Sequence, residues 1–328
     1  MKGAICWKAE VKDLSTIGIR GWKENPNIVI ILNWFANQQV TKRQISKVQV
    51  GTSEIARAEA KFNQWLGGVI DGDGYLGISK EGYTSLEITM GIADEQGLER
   101  IKDKLGGSIK LRSGSKSIRY RLHNRTGMLN LIKRINGNIH NTIRLTQLKA
   151  VCLLLKVDVL EPCNLDSHNA WFSGMFDADG SVTLKSTGQL TIGVTQKYKD
   201  NIREFKRVLG GELYLDKSQN HYTKWQVQSR SDALRILDYF KENPSFTLKK
   251  NRLFLIPQVI NLLNSGHHLA PINSQKYKTW LLMIDKWTAS RYDPNPPLIT
   301  HVERAGEWGG GINRIQRFPV ERVMGFLS

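Results

Sequence analysis

The sequence is poor in cysteine, in acidic side chains relative to basic ones, and in long apolar runs. Its three cysteines, Cys6, Cys152 and Cys163, lie far apart and form no Cys-x-x-Cys pair, which argues against a disulfide framework or a zinc finger. Cys163 and His168 could supply two metal ligands, but no second pair stands near them. No apolar run is long enough to cross a bilayer, there is no lipidation signal, and residues 1–6 lack the apolar core of a secretory signal. No membrane partner is expected.

The shortage of acidic residues leaves a strongly basic chain. Lys and Arg number 47 against 30 Asp and Glu in 328 residues, giving a formal net charge of +17. Spread along the chain, these cations favour a polyanionic partner, because neutralising phosphates releases condensed counterions. A chain of this length can bury a large core or form two domains.

One ten-residue motif occurs twice, as WLGGVIDGDG at residues 65–74 and as WFSGMFDADG at residues 171–180. Each copy predicts about two turns of apolar helix that end in an Asp-x-Asp-Gly turn. Gly68 and the Ser173-Gly174 pair remove side-chain bulk from one face, so the two helices could pack closely.

Such packing would bring the last aspartates of the two copies, Asp73 and Asp179, side by side. Adjacent carboxylates repel each other unless a cation lies between them, and hard divalent metals prefer oxygen ligands. The simpler interpretation is that Asp-Gly ends a core helix in a turn. Two copies, 106 residues apart within a longer repeat, make that interpretation weaker.

The repeat extends well beyond the motif. Residues 89–92 match 191–194, residues 119–122 match 224–227, and residues 142–143 match 247–248, with offsets of 102 to 106. A repeat of this size indicates two copies of one supersecondary unit. The predicted organisation is as follows: an N-terminal extension at 1–60, a first repeat at 61–160, a second repeat at 161–290, and a Pro- and Gly-rich tail at 291–328.

Within each repeat the apolar period changes from helical to two-fold, which predicts antiparallel strands with one buried face. The fold class is therefore α+β, with two pseudo-symmetric α-β-β-α-β-β-α units whose helices cover one face of each sheet. Further helices are predicted at Glu95–Leu105, Thr126–Ile135, Asp200–Leu209, Ser231–Phe240 and Tyr277–Trp287.

Strand parity places polar side chains on the open face of each sheet. A plain solvated face would also be polar, but these are residue types that contact base edges in a major groove. The candidates for DNA binding are Ser79, Lys110, Arg112, Arg119, Arg121, Thr183, Lys185, Gln189, Thr191, Lys224, Gln226 and Gln228.

Residues 66–74 and 172–180 resemble the two signature motifs of the double-motif LAGLIDADG homing endonucleases and their maturase relatives. The resemblance covers about residues 62–263 and implies a monomer in which two sheets form a saddle over double-stranded DNA. It also implies Mg²⁺-dependent cleavage of both strands at a long, nearly palindromic site, in the service of intron homing. Members of this family are often encoded in mitochondrial or chloroplast introns, and the location is inferred from that alone.

The resemblance assigns roles to eight positions. Asp73 and Asp179 match the metal-binding catalytic carboxylates, and the main-chain carbonyls of Gly72 and Ala178 match further metal ligands. Gln196 matches a polar residue that orients solvent, and we place Asp94 at the corresponding position of the first repeat. The basic residue near the scissile phosphate falls at Arg144 in the first repeat and at Lys249 in the second, with Lys250 as a near alternative.

Two other functions fit the same fold and charge. An RNA maturase would bind its group I intron RNA and help it splice, with or without cleaving DNA. A DNA-binding regulator would more naturally have lost one of the two aspartates. Because Asp73, Asp179, Arg144 and Lys249 are all present, we predict an endonuclease.

Overall fold

A computed structural model describes residues 53–185, 187–216 and 222–290. The predicted tail and residues 1–52 of the predicted extension lie outside these ranges. Helix α1 is described over residues 53–73, so the predicted boundary after residue 60 falls inside this helix. Within the described ranges, none of the helices has the length and apolar character needed to cross a membrane.

Two units follow each other along the chain, each built on a motif helix. After α1, the first unit contains β1 (Gly74–Ile78), β2 (Thr84–Gly91), α2 (Glu95–Leu105), β3 (Ser108–Leu111), β4 (Ser117–Leu122), α3 (Arg125–Ile135) and α4 (Thr142–Leu155). The second contains α5 (Trp171–Asp179), β5 (Gly180–Leu184), β6 (Leu190–Gln196), α6 (Arg203–Leu209), β7 (Glu212–Asp216), β8 (Tyr222–Val227), α7 (Arg230–Glu242), α8 (Lys249–Asn264) and α9 (Gln275–Ala289).

Each unit forms a four-stranded antiparallel sheet, in the order β1-β2-β4-β3 and β5-β6-β8-β7. The α+β prediction is confirmed. Each unit also contains one helix that was not predicted, α4 in the first and α8 in the second. The motif helix runs through both of its aspartates, and the first strand begins at the following glycine without the predicted turn. The last aspartate of each motif therefore sits where the helix ends and the sheet begins.

The helices bury one face of each sheet, and each unit has its own apolar core. Trp65 and Tyr120 are buried in the first core, and Trp171 and Trp225 in the second. Strand alternation predicts that Leu111 and Leu215 are buried, but Leu111 is 67% accessible and Leu215 is 55% accessible. They lie on β3 and β7, which form one edge of each sheet and which the helices do not fully cover.

Candidate active site

The two motif helices pack backbone against backbone. A Cβ atom added at Gly68 would lie 2.1 Å from Trp171 O, and one added at Gly174 would lie 1.9 Å from Trp65 O. Distances this short exclude any side chain, so glycine is required at both points. The predicted close packing of the two motif helices is confirmed.

Two side-chain hydrogen bonds join the motif helices, and each links the tryptophan of one motif to an aspartate of the other. Trp65 Nε1, on α1, donates to Asp177 Oδ2 at 2.9 Å, and Trp171 Nε1, on α5, donates to Asp71 Oδ2 at 2.7 Å. All four side chains are buried. No role was predicted for these residues, although a tryptophan opens each copy of the motif and an aspartate precedes each candidate metal ligand by two positions.

The same buried aspartates also hold the segments that lead into α4 and α8. Asp71 Oδ2 accepts from His140 N at 2.7 Å, and Asp177 Oδ2 accepts from Phe246 N at 2.8 Å. Burial raises the pKa of Asp71 to about 7, although these hydrogen-bond donors act to lower it. Burial also raises the pKa of Asp177. Since α4 carries Arg144 and α8 begins at Lys249, these bonds position the basic groups of the site.

The last aspartates of the motif helices, Asp73 and Asp179, face each other across this interface. A Cβ atom added at Gly72 would lie 2.2 Å from Ala178 Cβ and 2.8 Å from Asp179 Oδ2. Burial and repulsion by Asp179 raise the pKa of Asp73 to about 7. Burial also raises the pKa of Asp179, against the opposing effects of Lys249, Gln196 and Arg144.

This arrangement fits a hard divalent cation. Two partly buried carboxylates repel each other, and among the described residues no side chain donates a hydrogen bond to Asp73. The described part of the chain has no group of three or more His, Cys, Asp or Glu side chains suited to a metal ion. A metal held by Asp73 and Asp179 would therefore need main-chain carbonyls, water or phosphate oxygens as its remaining ligands.

Gln196 lies at the second carboxylate. Its Nε2 donates to Asp179 Oδ2 at 2.6 Å, and its Oε1 accepts from Asn201 Nδ2 at 3.4 Å. The side chain is thus oriented from both ends, as a residue that positions solvent beside a carboxylate would need to be.

The placement of Asp94 opposite Gln196 in the repeat was wrong. Gly74 pairs with Ile88 and Gly180 pairs with Val194, so the register equivalent of Gln196 is Met90. The two hairpin loops, residues 79–83 and 185–189, have the same length, so the offset stays at 106 instead of falling to 102.

Asp94 nevertheless lies near the site. Its Oδ1 accepts from Leu248 N at 2.7 Å, at the start of α8 in the other unit. It is also close enough to Asp73 to contribute to the raised pKa of that carboxyl group. Asp94 therefore tethers the second unit to the first beside the paired carboxylates.

The two basic residues behave differently. Lys249 Nζ is buried and donates to three carbonyl oxygens of α5: Phe176 O at 3.0 Å, Asp177 O at 2.7 Å and Ala178 O at 2.8 Å. Arg144 Nη1 donates to Gln147 Oε1 at 3.4 Å, and burial lowers its pKa while Asp71, Asp179 and Asp73 oppose that effect. The alternative, Lys250, is half-buried and donates to Gln96 Oε1 instead.

Comparison with known proteins places these residues in a family. Residues 166–236 match the LAGLIDADG-like domain. The intron-encoded DNA endonuclease ai2a of Dictyostelium discoideum is 32% identical over 235 residues, which cover 69% of this chain and 75% of that protein. The chain belongs to the LAGLIDADG family.

Other LAGLIDADG relatives extend the comparison. The intron-encoded RNA maturase bI4 of Saccharomyces cerevisiae is 45% identical over 257 residues, or 76% of this chain. The chain spans about two fifths of the length of that protein and of the probable intron-encoded endonuclease aI2 of Debaryomyces hansenii, with 39% and 38% covered. The I-LtrWI LAGLIDADG homing endonuclease, solved bound to target DNA, shares the fold with a TM-score of 0.53 and 17% identity over 71% of this chain and 99% of that chain.

The candidate DNA-binding residues of this LAGLIDADG chain lie on the open sheet faces and their connecting turns. Glu87 joins a pair of arginines on β4, with Arg121 Nε at 2.7 Å and Arg119 Nη1 at 3.2 Å. Lys224 pairs with Asp216 at 2.5 Å, and Gln228 donates to Gln226 at 3.1 Å. The strands also place Lys110, Thr183 and Thr191 on these faces, and the segments that flank the strands carry Ser79, Arg112, Lys185, Gln189 and Gln228.

Proposed function

We propose that this chain is a site-specific DNA endonuclease that makes metal-dependent double-strand breaks. The observation that carries the proposal is the pair of partly buried carboxylates, Asp73 and Asp179, held face to face where the two units meet. DNA is the proposed substrate because the open faces beside this pair carry arginine, lysine and glutamine side chains at two-residue spacing.

Phosphodiester hydrolysis needs an activated water, neutralised phosphate charge and a stabilised leaving oxygen. Mg²⁺, the proposed ion, supplies Lewis-acid stabilisation and an acidic bound water. Asp73 and Asp179 would hold it, with the Gly72 and Ala178 carbonyls as candidate ligands. Gln196 orients the Asp179 carboxylate and can hydrogen-bond solvent, while Arg144 supplies positive charge close to both carboxylates.

The repeat explains the proposed form of the target. Two units in one chain supply both halves of a pseudo-symmetric site, so a monomer suffices to span a long, nearly palindromic duplex. Because the relatives are named as intron-encoded proteins, we infer that this chain also serves its own intron, with an organelle genome as the inferred location.

The second candidate function is an RNA maturase acting on a group I intron. The 45% identity with a protein named as an RNA maturase favours it. The paired carboxylates favour cleavage, because RNA binding has no evident need for two repelling, partly buried aspartates. The two activities are compatible on one chain, since they use different chemistry.

A cleavage assay separates these proposals. The substrate is DNA spanning the intron-free version of the host gene, incubated with Mg²⁺, with Ca²⁺ or with excess chelator. We expect both strands to be cut with Mg²⁺, and binding without efficient cutting with Ca²⁺, which is larger and less exacting in its geometry. Robust cleavage in chelator would contradict the metal mechanism, and intron RNA binding without any DNA cleavage would favour the maturase.

A further inference from the structure

The C-terminal end of α5 carries a built-in cation. An α-helix leaves its last carbonyl oxygens without intrahelical partners, and its dipole favours positive charge there. Lys249 Nζ fills this position by donating to Phe176 O, Asp177 O and Ala178 O. Ala178 O is also the carbonyl proposed as a metal ligand beside Asp179.

The equivalent end of α1 is neutral. There Asn141 Nδ2 donates to Asp71 O at 3.0 Å, so an amide replaces the ammonium ion. Among the described residues, Arg144 donates to Gln147 and to no carbonyl oxygen of α1. Within the described ranges, therefore, no cationic side chain donates to the Gly72 carbonyl, whereas Lys249 donates to the Ala178 carbonyl.

We propose that Lys249 closes the Ala178 side of the site, so that a divalent metal binds first beside Gly72 and Asp73, and only later at Ala178 O. The inference rests on the metal-dependent function proposed above. The Lys249 ammonium group would have to leave Ala178 O before that oxygen could accept a metal ion. The two metal positions are then occupied in order. When the metal concentration is limiting, one DNA strand is cut before the other.

The Lys249 side chain is long enough to move, and a carboxylate lies near it. It is the first residue of α8, and its ammonium group is carried on a flexible four-carbon stem. Burial lowers the pKa of Lys249, while nearby carboxylates, Asp94 among them, raise it. Asp94 thus offers the displaced ammonium group an anionic neighbour outside the paired carboxylates.

Metal binding without DNA tests the order directly. Free Mn²⁺ is measured by electron paramagnetic resonance during titration of the wild type, Lys249→Met and Lys250→Met. We expect two unequal steps in the wild type and a weaker step that tightens about tenfold in Lys249→Met, the equivalent of one charge-assisted hydrogen bond. Lys250→Met removes the same charge from a side chain that donates to Gln96 instead of to α5, and it should change either step less than about threefold. If Lys249→Met binds Mn²⁺ no more tightly than Lys250→Met does, the proposal is wrong.

A further variant separates this inference from the proposed function. Asp73→Asn should remove the tighter step, and if it binds Mn²⁺ as the wild type does, or if the wild type binds none, the metal site itself is wrong. Loss of binding in Asp73→Asn together with an unchanged Lys249→Met overturns only the ordered filling.

Amine labelling of the wild type gives a second test that needs no variant to fold. With mass-spectrometric detection, Lys249 should react more slowly than Lys250 in buffer, because its Nζ is enclosed by carbonyl oxygens. Saturating Ca²⁺ should speed the labelling of Lys249. Unchanged labelling at saturation would overturn the proposal.

Discussion

Replacing Asp73 by asparagine should abolish cleavage and at the same time make the folded protein more stable at neutral and alkaline pH. The carboxyl group has a pKa of about 7 in the folded chain, against an ordinary value of 3.8. Between these values the unfolded chain has lost the proton and the folded chain has kept it. The free energy of unfolding therefore falls as pH rises from about 4 to about 7, and it changes no further above that range.

The size of this effect follows from the same two values. Raising the carboxyl pKa from 3.8 to about 7 corresponds to at most about 4 kcal/mol of lost stability above pH 7. Asparagine has nearly the same shape but no charge, so Asp73→Asn should recover most of this free energy at pH 8 and little of it at pH 4. Asp103→Asn is the matched control, because Asp103 is an exposed carboxylate on α2 away from the site.

Urea unfolding across pH 4 to 9 measures the stability, and cleavage of target DNA with Mg²⁺ measures the activity. Adding Mg²⁺ at pH 8 should stabilise the wild type but not Asp73→Asn, because a ligand that binds only the folded state raises its stability. Parallel stability curves for the wild type and the variant across pH would refute the claim that Asp73 is held in a repulsive pair. Full cleavage by the variant would refute its assignment as a catalytic metal ligand.

Three further changes test the helix interface and the open face. Gly174→Ala places a Cβ atom 1.9 Å from Trp65 O and should cost at least about 1–3 kcal/mol in urea unfolding, whereas Gly91→Ala meets only ordinary contact at 3.9 Å and should be tolerated. Trp65→Phe removes a hydrogen bond to a buried carboxylate and should lower the free energy of unfolding by about 1.5–3 kcal/mol. Trp225→Phe should cost less, because the Trp225 indole donates to a neutral carbonyl, and equal costs would contradict this. Arg121→Ala should cost about 1–3 kcal/mol in binding and relax the preference at one base pair in a cleavage profile over single-base target variants, while a uniform loss across all variants would show a phosphate contact instead.

Local patterns were enough to predict the repeat, the sheets and the paired carboxylates. Strand alternation has a period of two residues, so the open-face position of Arg119 and Arg121 followed from buried Tyr120 between them. The candidate metal carboxylates, Asp73 and Asp179, could be paired because their motif is written twice. Each of these predictions depends on a short sequence pattern or on its repetition along the chain.

The errors and omissions have three separate causes. Helix α8, which was not predicted, contains Pro257, and a proline argues against a helix interior. A chance Thr-x-Gly match between residues 89–91 and 191–193 shifted the second strand by four positions and misplaced Asp94. The Trp65–Asp177 bond joins residues in different repeats, so it depends on how the two units dock.

The crossed bonds also explain how a symmetric scaffold can hold two unlike half-sites. Each buried aspartate accepts from the tryptophan of the other motif and from the backbone ahead of α4 or α8 in its own unit, so both halves are fixed by the same device. The groups that this device positions differ, since Gln196 in one half corresponds to Met90 in the other. Arg144 and Lys249 differ likewise, because only Lys249 holds carbonyl oxygens of a motif helix. Symmetry therefore governs where the two half-sites lie, and the unlike side chains give each half its own set of hydrogen bonds around its aspartate.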